Sequence, residues 1–117
     1  MTVRGKLVRD HIPEIIRSDG REPSTRTAEA DEYRILLRRK LVEEVEEFLQ
    51  SEDAEEIADI LEVLLALAAE RGLTAADLEG IRQRKYEERG GFSARIVWLG
   101  NAEGDGRYSS HDADEFD

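Results

Sequence analysis

ADEYRILLRRKLVEEVEEFLQSEDAEEIADILEVLLALAAERG, residues 30–72, is the stretch on which the fold turns. In its first half Tyr33, Leu36, Leu37, Leu41, Val45, Phe48 and Leu49 recur at three- and four-residue steps. That is the period of an α-helix, and it predicts one from about Ala30 to Gln50. Ser51-Glu52-Asp53 interrupts the pattern, and Asp53 is suited to cap the next helix. That helix is predicted from about Ala54 to Arg71 and stops at Gly72. So short a break makes the pair an antiparallel hairpin, the centre of an all-α fold.

Outward from the hairpin the signals are shorter. Pro13 suits the first turn of a short helix through Arg17, ended by Gly20, and residues 19–28 read as a polar loop. Thr74 with Asp77 resembles a capping box that opens a fourth helix to about Arg89, with Gly90-Gly91 at its end. Phe92 to Leu99 is apolar and β-prone, and suggests one short strand near the C-terminus. After Gly100 no apolar period remains. The expected organisation is a helical bundle of about four helices over residues 1–100 and a loose, disordered acidic tail over 101–117.

Composition narrows the function classes. The chain has 117 residues, of which 39% are hydrophobic, so it forms one small core, and long apolar helices suit self-association. The net charge is −11, and six acids against one base place −5 of it in residues 101–117. The acidic remainder argues against binding a nucleic-acid polymer through its phosphates. Without cysteine there is neither a disulfide framework nor a thiolate metal site. No run of 18 apolar residues and no signal-peptide core are present, so a cytoplasmic, membrane-free protein is expected.

The chemistry lies in two acidic clusters on the hairpin, Glu43-Glu44-Val45-Glu46-Glu47 and Glu55-Glu56-Ile57-Ala58-Asp59. Glu44/Glu47 and Glu56/Asp59 are each three residues apart and share a helix face. On a helical wheel Leu41, Val45, Phe48 and Leu49 centre the apolar arc of the first helix, with Glu44 on its flank. In the second helix Glu56 falls between Val63 and Leu67, inside the apolar arc, and Asp59 lies just outside it. A buried acid costs several kcal/mol unless it is neutralised, paired or metal-bound.

A plainer reading competes. Glu-rich surfaces keep helices soluble, Glu56 can cap Asp53, and Arg39 and Lys40 can pair with Glu43 and Glu44 one turn on. Against it, Glu43 and Glu47 repel at i,i+4, and Glu46 and Glu47 stand near a helix C-terminus, where the dipole disfavours acids. The two histidines, His11 and His111, lie outside these helices, so a zinc or di-iron centre fits poorly. Oxygen ligands alone suit Mg²⁺ or Mn²⁺, ions that accompany phosphates. Cations for those phosphates are on hand: Arg82, Lys85 and Arg89 on one stripe of the fourth helix, Arg95 beyond Gly90-Gly91, and Lys6 and Arg9 near the N-terminus.

Glu43-Glu44-x-x-Glu47 followed by Glu56-x-x-Asp59 resembles the signature of the all-α NTP pyrophosphohydrolases, the MazG-like superfamily. Lys6-Leu7-Val8-Arg9-Asp10-His11-Ile12-Pro13 and Lys85-x-x-Glu88-Arg89-Gly90-Gly91-Phe92 resemble a branch of small proteins in it, described as phosphoribosyl-ATP pyrophosphohydrolase-like or house-cleaning. The likeness spans about residues 5–99, with an eight-residue gap between Glu47 and Glu56 that is shorter than in most of the superfamily.

The resemblance implies a homodimer or homotetramer of helical bundles. It also implies hydrolysis of a nucleoside triphosphate between the α and β phosphates. It makes Glu44, Glu47, Glu56 and Asp59 the ligands of Mg²⁺ or Mn²⁺, and Glu43 a neighbouring group or base. Lys6, Arg9, Lys85, Arg89 and Arg95 become the phosphate-binding candidates. Two alternatives stay open: hydrolysis of phosphoribosyl-ATP, and a non-catalytic helical interaction protein.

Overall fold

The computed structural model describes residues 5–102 and 108–109. The architecture is all-α, as expected, with α1 (Ile12–Ser18), α2 (Ala30–Ser51), α3 (Ala54–Glu70) and α4 (Ala75–Arg89). A two-stranded pairing of β1 (Asn101–Ala102) with β2 (Tyr108–Ser109) follows. The chain divides into two compact units, Met1–Ile81 and Arg82–Asp117.

The first unit is built on the α2–α3 hairpin. Glu52 turns the chain in the left-handed region, at φ 55°, and its N–H donates to the Phe48 carbonyl at 2.7 Å. Asp53 occupies the N-cap position of α3, but its side chain makes no capping bond. The Glu56 N–H donates instead to the Asp53 backbone carbonyl at 3.1 Å. The Asp53 N–H, from which a capping Glu56 carboxylate would accept, donates to Ser51 Oγ at 3.2 Å, so the capping role considered for the Glu56 side chain is not what it does. Across the seam Arg34 pairs with Glu70 at 3.4 Å, and Glu44 meets Asp59. The near-constant sum of these residue numbers marks the antiparallel register.

Packing turns α2 further round than the wheel suggests. Leu36, Leu37, Val63 and Ala68 are the buried apolar residues, at 3–8% exposure. The covered stripe of α2 runs through Tyr33, Leu37, Lys40, Glu44 and Phe48. Glu44, expected on the flank, lies in the seam at 7% exposure, whereas Val45 and Leu49 are 37% and 70% exposed. The reason is supply. Apolar side chains cover more of each helix than one neighbour can hide, so the contact settles on Leu36 and Leu37 of α2 and Val63 and Ala68 of α3. Ile57, Leu61 and Leu64 on α3, and Val42 on α2, are left facing outward.

The helix ends follow local chemistry. After α3, Gly72 takes φ 76°, Leu73 N–H donates to Ala68 O at 2.9 Å, and Gly72 N–H to Ala69 O at 3.0 Å. This double bond pattern closes the last turn and needs a residue without a Cβ penalty. The capping box before α4 forms as its spacing suggests. Thr74 N–H donates to Asp77 Oδ2 at 2.9 Å, and Asp77 N–H to Thr74 Oγ1 at 3.1 Å. The bond from the Thr74 N–H, with a further one from the Thr74 hydroxyl, holds the Asp77 carboxyl below its usual pKa. No helix among the described residues is long and apolar enough to cross a membrane.

In the second unit, Gly90 at φ 80° donates its N–H to the Tyr86 carbonyl at 2.7 Å and ends α4. The strand suggested for Phe92–Leu99 does not form. Arg95, at φ 60°, closes a turn onto the Phe92 carbonyl, and Phe92, Ile96, Val97 and Leu99 are 72–92% exposed. A β-prone run needs a partner strand for its backbone groups, and among the described residues none pairs with this one. Pairing occurs later and antiparallel, Asn101 opposite Ser109 and Ala102 opposite Tyr108. Of the acidic tail expected to be loose, residues 103–107 and 110–117 lie outside the described residues.

Candidate metal centre

The hairpin register carries α2 carboxylates onto α3 carboxylates. One oxygen each from Glu44, Glu56 and Asp59 lie within 4.8 Å of one another. Three negative groups that close repel strongly unless a proton or cation intervenes. Glu44 Oε1 has Lys40 Nζ at 3.4 Å, but its Oε2 is buried without a hydrogen-bond partner. Glu56 Oε2 is buried and unpartnered as well. Buried polar atoms are nearly always satisfied, so two orphans on residues of one acidic group call for a missing partner.

The electrostatics agree with the geometry. Burial pushes the Glu56 carboxyl above its ordinary value of 4.5, and repulsion from Glu47, Asp59 and Glu44 pushes it further. A hydrogen bond with Glu47, which needs a proton on one partner, adds to the same direction. Glu47 itself is exposed and stands outside the group of three, beside Glu56. The donors are carboxylate oxygens with no nitrogen or sulfur among them, and two of the residues each keep a buried, unsatisfied oxygen. This donor set fits a hard divalent cation of the Mg²⁺ or Mn²⁺ kind.

Basic side chains ring the acids. Lys40 Nζ lies 3.5 Å from Glu43 and 3.4 Å from Glu44, and Lys6 Nζ lies 3.5 Å from the other Glu43 oxygen. Glu43 is therefore held between two lysines, away from the three-oxygen group. The pairing of Lys40 considered from spacing alone does form, but it satisfies only one of the two Glu44 oxygens. Arg9 reaches Asp59 at 2.6 Å. A cavity of about 360 Å³ opens beside the acids, with Arg9, His11, Tyr33, Lys40, Glu44 and Asp59 in its wall.

Tyr33 escaped the sequence reading as a site residue. Burial raises its phenol pKa, helped by the negative charges of Glu70 and Asp10. Its only sequence signal was its place as the first residue of the α2 apolar period, which reads as core. Lys85, Arg89 and Arg95 belong to the second unit. There Gly90 acts as a helix terminus, and a Cβ on Gly91 would stand 3.2 Å from the Tyr86 ring.

Comparison with known proteins adds little on chemistry. No family profile matches the chain, and no solved structure matches it. A protein of Mycolicibacterium smegmatis, described only as uncharacterized, is 51% identical over 53 residues, which is 45% of this chain and 53% of the relative. The matched segment spans about half the length of that relative.

Proposed function

We propose that this chain is a divalent-cation-dependent nucleoside triphosphate pyrophosphohydrolase of the MazG-like kind. The observation that carries the reading is the pair of buried, unpartnered oxygens, Glu44 Oε2 and Glu56 Oε2, on two residues whose carboxylates meet Asp59 in one group. In the proposed reaction water adds to the α-phosphorus and the bond to the bridging α–β oxygen breaks. The products are nucleoside monophosphate and pyrophosphate, and the proton of the water passes to solvent or a nearby base.

Glu44, Glu56 and Asp59, with Glu47 alongside, would hold Mg²⁺ or Mn²⁺. When bound, that ion neutralises polyphosphate charge and acidifies a water. The other roles fall to the chain's own side chains. Arg9, in the wall of the cavity, and Lys6, beside Glu43, offer donors to phosphate oxygens. Glu43 keeps Lys6 and Lys40 in place. Tyr33, Leu37 and Val63 give the cavity an apolar wall for the organic part of the substrate. Lys85, Arg89 and Arg95 are further phosphate-binding candidates by resemblance, as is a cytoplasmic role in cleaning nucleotide pools.

Outward-facing apolar stripes favour self-association as a homodimer or homotetramer. Val42, Val45 and Leu49 recur on α2, and Ile57, Leu61 and Leu64 on α3, all 37–70% exposed. A purely structural helical oligomer would use the same stripes and would ignore Mg²⁺. The deciding experiment is a nucleotide panel, phosphoribosyl-ATP included, with Mg²⁺ or Mn²⁺ and separate assays for pyrophosphate and orthophosphate. Pyrophosphate released in step with monophosphate is the expected result. Orthophosphate alone, or no turnover with any member, removes the proposal.

A further inference from the structure

We infer that Arg9 is an exchangeable counter-ion: it occupies Asp59 while no divalent cation is bound, and turns to the phosphates of an incoming ligand when one is. The inference rests on the metal-site reading above and deepens it.

The ion pairs around the acids are not alike. Lys40 and Glu44 are 18% and 9% exposed in their side chains, so their pairing is shielded. Arg9 and Asp59 are 54% and 38% exposed, at 2.6 Å. A pair so open to water is weak and readily exchanged. Asp59 is also one of the three groups that a cation would draw in, beside the orphaned Glu44 Oε2 and Glu56 Oε2. Arg9 cannot satisfy those two atoms from its place on Asp59, since both remain without a hydrogen-bond partner. A divalent ion supplies charge to all three carboxylates at once, so Asp59 is better served by it than by Arg9.

Release would not remove Arg9 from the scene. The Arg9 backbone carbonyl accepts a bond from the Ile12 N–H at 3.1 Å, which ties its main chain to the start of α1. The guanidinium therefore swings from a fixed base, and it already lines the same cavity as Asp59, Glu44 and Lys40. Its planar fork of donors matches phosphate oxygens, which a freed Asp59 partner would otherwise seek in water. Cation loading and phosphate capture are coupled through one side chain.

Mn²⁺ titration of the full chain without nucleotide, followed by the electron paramagnetic resonance of the free ion, tests the exchange. Arg9→Met should bind Mn²⁺ about two- to fivefold more tightly than the unaltered chain, the size of one exposed ion pair. Arg17→Met controls for net charge, because Arg17 pairs with Glu22 instead, and it should leave the affinity unchanged. With Mn²⁺ saturating, Arg9→Met should bind inorganic tripolyphosphate more weakly, and Arg9→Lys should recover part of the loss. Mn²⁺ affinity in Arg9→Met no higher than in the unaltered chain, or absent from both, overturns the inference, as does unchanged tripolyphosphate binding. Exchange that persists in a chain inactive on every nucleotide would retire the hydrolase reading alone.

Discussion

Glu32 and Glu56 both occupy the first turn of a long helix, α2 and α3, where the helix dipole favours a negative charge. Their surroundings then diverge. Arg26 donates to both oxygens of Glu32, at 2.6 and 2.9 Å, and that hydrogen bonding lowers the Glu32 pKa. Glu56 meets Glu44, Glu47 and Asp59, keeps one buried oxygen unpartnered, and has its pKa raised. The loop before α2 brings a guanidinium to one acid, and the hairpin brings more acids to the other. A carboxylate satisfied within its own chain is a structural group. One desolvated among like charges is a position that the fold keeps at a disadvantage, which the proposed cation would relieve.

The contrast can be broken at several points. Glu56→Gln should lower pyrophosphohydrolase turnover by about 10²–10³-fold, the scale seen when one charge-stabilising group is lost. The same change should raise the melting temperature of the cation-free protein, because a repelled carboxylate is gone. Steady-state kinetics and thermal melts read the two together, and full turnover in the variant would end the functional case. Glu32→Gln should leave turnover intact.

Leu37→Ala tests whether the acidic group depends on the core beside it. At 3% exposure, Leu37 should cost about 2–5 kcal/mol on truncation, measured by urea unfolding. A loss well below that range would show that the seam is not a packed one. Saturating Mg²⁺ should stabilise the unaltered chain by about 2.7 kcal/mol at a hundred times its Kd, by mass action. The shift should disappear in Glu56→Gln and persist in Glu32→Gln. Equal shifts in all three would place the ion elsewhere.

The smallest effect is on pH, and the two acids pull in opposite senses. The folded pKa of Glu56 is raised, so the native state holds that proton more tightly than the unfolded chain. Its contribution grows as pH falls through the folded pKa to the ordinary value, and is lost as pH rises again. Glu32 has a lowered folded pKa, so its contribution is present above the ordinary value and is lost as pH falls through the folded one. Stability of the cation-free chain should rise on mild acidification and then fall. Urea midpoints across the acid range should lose the rise in Glu56→Gln and lessen the fall in Glu32→Gln.

Local rules carried much of this. The α2 and α3 periods, the break near Asp53, the Gly72 stop and the Thr74–Asp77 box were each legible because they depend on residues within one or two turns. The Phe92–Leu99 strand was not, because strand formation depends on a partner that local sequence does not supply. Glu56 inside the α3 apolar arc was the best site signal, and that residue does keep a buried, unsatisfied oxygen. Tyr33 and the cavity stayed hidden, since a tyrosine at a core period looks the same whether or not space opens beside it.

Periodicity placed Glu44 and Glu47 on one helix and Glu56 and Asp59 on the next, because three-residue spacing is a property of the helix itself. Only the packed hairpin chose among them. It buried Glu44 in the seam, drew Glu56 and Asp59 to it, left Glu47 exposed and set Arg9 on Asp59. Spacing within a helix is set by backbone hydrogen bonds, whereas the face that turns inward is set by which neighbouring surface covers the most apolar area. That choice rests on contacts between residues far apart in the chain.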